Sequence, residues 1–106
     1  MEYRQLYQRL IDRILHGDGE SARQDRQKAF ENAGLPQPLS TLIDKVAYKA
    51  YQVTDNDISS VKAMGINEDE LFELIICGAV GQASRQYQSG LAALTEVIQS
   101  GGDHAA

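Results

Sequence analysis

The chain has 106 residues, the length of one domain, and at this size folding hides roughly two-thirds of the unfolded surface, enough for one real core. Hydrophobic content of 42% beside 24% charged residues excludes a chain too polar to fold. The formal charge of −5 argues against a phosphate backbone as partner. The deficit is local: positions 35–77 hold three Lys against seven Asp/Glu. A single cysteine, Cys77, cannot close an internal disulfide, and no Cys/His set has metal-ligand spacing. The start, EYRQLYQRLIDR, is too charged for a secretory leader, and no apolar run reaches the ~18 residues of a membrane span. These features lead us to expect a cytoplasmic protein with no bound metal or cofactor and no nucleic-acid or membrane partner.

The elements follow in chain order. Tyr3, Leu6, Tyr7, Leu10, Ile11, Ile14 and Leu15 recur at helical spacing and predict an amphipathic helix over 2–16. HGDGE ends it. Ser21 as N-cap with Gln24 three residues on predicts a weaker helix to about Ala33, with Gly34 in the left-handed position after it. Its apolar face is thin (Ala22, Ala29, Phe30, Ala33), which predicts a surface position. LPQP is a linker, and Pro38 suits the first turn of a third helix whose stripe runs from Leu39 to Ala50. Thr54 and Asp57 form a capping box for a fourth, with Val53 and Ile58 as its staple, stopping at Gly65. Asn67, Glu70, Ile66 and Leu71 repeat the device. The last helix, LFELIICGAVGQA, is apolar almost all round and runs to about Gln99. Glycine costs up to ~1 kcal/mol inside a helix, so Gly78, Gly81 and Gly90 predict close approach by neighbouring helices. Nothing reads as a strand. The expectation is a compact all-α domain. One apolar helix with four shorter ones is more than a lone domain of this size covers comfortably, which predicts a homo-oligomer. The alternative is a monomer whose first helix lies over the last; a protein partner is a further expectation.

From Ala50 onward the chain resembles the AhpD-like, carboxymuconolactone decarboxylase superfamily of all-α proteins. The resemblance rests on Gly65, the cap INEDE, the helix LFELIICGAVGQA and the segment SRQYQSGLAAL, and covers roughly 39–98. It implies an N-terminal helical extension (1–36) packed on an AhpD-like core (37–100), with a disordered tail (101–106). The family's redox pattern is Cys-x-x-Cys-x-x-x-His before that Gly. Here the three positions are Ala50, Val53 and Asp57. A methyl group, an isopropyl group and a carboxylate cannot reduce a peroxide through a disulfide. The resemblance therefore implies a non-redox member, an oligomeric binding or accessory module.

Other readings compete. A decarboxylase-type lyase on the same scaffold would use Arg85, Tyr51 or Asp57. A peroxidase with a single thiol would use Cys77, but mid-helix cysteine more commonly packs as a small hydrophobe. Asp55, Asn56, Asp57 and Ser59 are similar to the start of a calcium loop, but Ser60 and Ile66 stand where Gly and Glu are needed. The acids between Asp55 and Glu73 fit a solvated face better than a partner-binding patch. Tyr48, Tyr51, Arg85 and Tyr87 are the candidate lining of a small-molecule pocket.

Overall fold

A computed structural model describes the backbone of residues 3–104 and the side chains of 5–99. The fold is all-α, with no strand among the described residues. The elements are α1 (Tyr3–His16), α2 (Arg23–Glu31), α3 (Leu39–Tyr48), a 3-10 turn (Ala50–Gln52), α4 (Asp55–Lys62) and α5 (Glu68–His104). None of these helices is long and apolar enough to cross a membrane.

The capping chemistry sets several boundaries. The Asp57 N–H donates to Thr54 Oγ1 at 3.2 Å and the Thr54 N–H to Asp57 Oδ2 at 2.9 Å, a reciprocal box that starts α4. At α5 the Glu70 N–H donates to Asn67 Oδ1 at 2.9 Å. Gly65, at φ +94°, turns the chain between the two helices in a conformation open to glycine and costly for most other residues.

Other ends differ from expectation. Ala22 takes the N-cap position of α2 with no side-chain cap, because the Ser21 hydroxyl is drawn to Glu73 across the fold. Asn32, not Gly34, ends α2 in the left-handed region, where its amide suits it. Gly34 follows with positive φ as well. The third stripe breaks after Tyr48 into the 3-10 turn. At the C-terminus, α5 continues through His104, into the stretch expected to be a disordered tail. Ala105 and Ala106 lie outside the described residues.

The core gathers Ala29 of α2, Leu39, Leu42 and Ile43 of α3, Val61 of α4, and Leu71, Leu74 and Cys77 of α5. Val53, Ile58 and Ile66, placed by the two caps, pack against it. The correction of most consequence concerns α2. It is no surface helix: its most extensive packing is with α5, and Ala29 is fully buried. The glycines of α5 explain how so thin an apolar face suffices. A Cβ on Gly81 would run into the backbone carbonyl of Phe30, and one on Gly78 would sit 3.0 Å from Ile43 Cγ2. With no side chain there, the backbone of α2 lies directly on α5.

Beyond this body α5 keeps going. Its 37 residues span about 55 Å at the helical rise, and the molecule measures 62 × 30 × 21 Å. The radius of gyration is 17.1 Å, against about 13 Å for a compact domain of this length. The first half of α5 is the axis of a compact helical body, and the second half projects from it.

Candidate functional site

Of the three positions set against the redox pattern, none carries a thiol or an imidazole. Ala50 is exposed in the 3-10 turn, and Val53 packs against the core. Asp57 has both carboxylate oxygens occupied. Lys45 Nζ donates to Oδ1 at 3.0 Å and to Oδ2 at 2.8 Å, and Oδ2 also accepts the Thr54 N–H. The hydrogen bond from Lys45, then that from the Thr54 backbone, hold the carboxyl below its ordinary pKa. It is therefore a fixed anion that joins α3 to the start of α4, with no proton to give near neutrality.

Cys77 is buried, its thiol 3.9 Å from the Ile14 carbonyl. Burial pushes its pKa up to about 11; Arg26 draws it back in part and Glu73 opposes Arg26. At neutral pH the group is therefore held as the thiol, not as the thiolate that attacks a peroxide. The hollow beside it, about 150 Å³, is lined by Arg13, Ile14, Asp18, Arg26, Glu73 and Ile76.

Two residues around that hollow do work that sequence reasoning missed. Arg26 is almost fully buried, and its Nη1 donates to the carbonyls of Gly17 at 2.7 Å and Ile14 at 3.2 Å. These are unpaired acceptors at the negative end of α1, so the guanidinium caps one helix from another. Glu73 accepts from the Glu20 N–H (2.7 Å), the Ser21 N–H (2.8 Å) and the Ser21 hydroxyl (2.7 Å). Burial alone would raise its pKa, but those three donors and nearby Arg26 outweigh it and the net shift is downward. A signal existed for Glu73, the one acid within the apolar run of α5. Nothing local marked Arg26, and the local signal at Ser21 pointed to an N-cap, because their partners are carbonyls and a carboxylate brought up by tertiary packing.

The candidate pocket residues divide among separate surfaces. Tyr48 lines an open polar cleft of about 480 Å³ with Asn32, Ser40, Asp44, Lys45 and Lys49. Tyr51 stands 83% exposed. Arg85 donates from Nη1 to the Phe30 carbonyl at 2.7 Å and from Nε and Nη2 to Gln82, which ties α5 to the end of α2. Tyr87 stacks at a tilt on Tyr7, ring centroids 5.4 Å apart, and with Leu6 and Leu10 lines an apolar groove of about 450 Å³ between α1 and α5. Among the described residues no group of three or more His, Cys, Asp or Glu side chains is placed to hold a metal ion. The chain matches no family model, no curated protein and no solved structure.

Proposed function

We propose that this protein is a non-redox, AhpD-like helical protein of the cytoplasm that acts as an oligomeric binding or accessory module. The observation that carries the reading is the employment of Asp57. At the position where the family's proton-relay histidine would stand, this chain has a carboxylate fully engaged in a capping box and an ion pair with Lys45. Its neighbours in the motif, Ala50 and Val53, bring no reactive atom. The buried, protonated Cys77 supports the same conclusion from the other side of the core. The surfaces available for binding are the polar cleft along α3 and the apolar side of α5.

A lyase of the decarboxylase type is not favoured. It would need Arg85 free to meet a substrate carboxylate, and that guanidinium is held by Phe30 and Gln82. The test is thiol-dependent peroxide consumption by the wild-type protein and by Cys77→Ala. We expect neither to exceed the uncatalysed rate. Turnover that persists in Cys77→Ala would overturn the non-redox reading, and turnover abolished by that substitution would make the protein a single-cysteine peroxidase.

A further inference from the structure

The side of α5 turned away from α2 and α3 is apolar for most of the helix. Leu74, Cys77, Gly81 and Ser84 face the body and are buried. On the other side, at 100° per residue, Phe72, Ile76, Ala79, Ala83, Tyr87, Leu91, Leu94 and Ile98 fall within a stripe about 120° wide. The charged residues of this span lie off its middle. Glu73 is held by Ser21, Arg85 by Phe30, and Glu96 is on the far side of the helix. Phe72, Leu94 and Ile98 stand open to solvent, at 65%, 55% and 65% exposed, while α1 runs along one edge of the stripe, where Ile76 is half-buried and Tyr87 stacks on Tyr7.

We infer that this stripe is the interface for a second copy of the chain, the two α5 helices packing antiparallel about a two-fold axis near Arg85. The inference rests on the oligomeric part of the function proposed above and names its contact. Three features select this occupant. The first is size. Phe72, Tyr87, Leu91, Leu94, Val97 and Ile98 are each 42–65% exposed, six large apolar side chains along one helix, the scale of surface that a standard interface of about 800 Å² per partner covers.

The second feature is shape. About an axis at position 85, Ile76 meets Leu94 along the middle of the stripe and Ala83 meets Tyr87 beside the axis, while Phe72 and Ile98 lie level at the two ends. A small residue thus opposes a large one beside the axis, and large apolar side chains meet toward the two ends. In the same register Gly90 faces Val80. A Cβ on Gly90 would touch nothing within 4 Å in the protomer, so the close approach that accounts for Gly78 and Gly81 is supplied here by the partner helix. The third feature is arrangement. Antiparallel packing sets each projecting half against the open side of the other body, whereas parallel packing stacks alanine on alanine and leaves both bodies jostling at one end. An isologous contact of this kind closes as a dimer.

The experiment is sedimentation equilibrium of the full chain at micromolar concentration, with disulfide cross-linking as the measure of register. The wild type is expected to be a dimer. Leu94→Glu, at a site that touches no core residue, should raise the dissociation constant more than a hundredfold and leave the thermal unfolding of the body in place. The double variant Ile76→Cys/Leu94→Cys, at the middle of the stripe, should cross-link on mild oxidation, and Leu94→Cys alone should not. A monomeric wild type overturns this inference and the oligomeric reading together. An oligomer that survives both Leu94→Glu and Phe72→Glu overturns the α5 interface alone. Cross-linking by Leu94→Cys alone overturns the antiparallel register.

Discussion

The two halves of α5 are built from similar residues and live in different surroundings. In the first, Gly78 and Gly81 lie under Ile43 and the backbone of Phe30, and Leu71, Leu74 and Cys77 are buried. In the second, Gly90 has open space beside it, and Leu91, Leu94, Val97 and Ile98 are all exposed. Small and apolar residues in a helix thus record an approach by some neighbour without saying whether it belongs to the same chain. For the body half the neighbour is α2. For the projecting half α1 meets only its start, where Tyr7 stacks on Tyr87, and Leu91, Leu94, Val97 and Ile98 beyond it stay exposed, although an amphipathic helix of this length gains most of its stability by covering its apolar face.

The largest effect should come from adding one carbon to the body half. Gly81→Ala places a methyl group on the Phe30 carbonyl, and neither backbone can yield without separating α2 from α5. Overpacking against backbone lies at the upper end of its range, so the loss should be about 3 kcal/mol or more in urea unfolding. Arg85 should lose its acceptor on Phe30 in the same event. A nearly neutral Gly81→Ala would mean that α2 does not sit on α5 as closely as the structure has it, and the contrast between the halves would dissolve.

The next effect tests how the body half holds the loop between α1 and α2. Glu73→Gln removes the charge from three hydrogen bonds to Glu20 and Ser21, and charge-assisted bonds suggest a cost of about 2 kcal/mol. It should also change the pH profile. Glu73 has its pKa lowered in the folded protein, so its contribution is present above the unfolded carboxyl pKa of about 4.3 and is lost as pH falls through the folded value. The variant should therefore have a shallower acid limb in a plot of stability against pH. Some slope must remain, because Asp57 is shifted in the same direction. An acid limb as steep as that of the wild type would show that the Glu73 network does not form.

What the sequence disclosed follows the range of the forces involved. Thr54 with Asp57 and Asn67 with Glu70 act over three residues, and both caps are legible as letters. The amphipathic stripes of α1 and α3 are equally local. The role of α2 was hidden, because its partner is two glycines some fifty residues away and its own apolar face is sparse. Ser21 looked like an N-cap for the same reason, since its true partner Glu73 is 52 residues on. As for the candidate site, the lack of reactive groups at Ala50, Val53 and Asp57 is plain in the sequence, but the ion pair of Asp57 with Lys45 is not. The grouping of Tyr48, Tyr51, Arg85 and Tyr87 was drawn from residue type, and the fold spreads those side chains over separate faces.

The smallest effect is the most discriminating between the halves. Gly90→Ala adds the same single carbon as Gly81→Ala, but in the protomer it meets nothing. Alanine is the better helix residue by about 0.8–1 kcal/mol, so the projecting helix alone should become more stable. In the antiparallel pair the new methyl group points at Val80 of the partner subunit and should loosen the dimer. The two consequences have opposite signs and can be read separately. In the Leu94→Glu background, where the pair is broken, Gly90→Ala should raise helicity in far-ultraviolet circular dichroism. In the wild-type background it should raise the dissociation constant. If the substitution instead tightens the dimer, Gly90 is no contact, and the glycine of the projecting half would need a cause other than the one that explains Gly78 and Gly81.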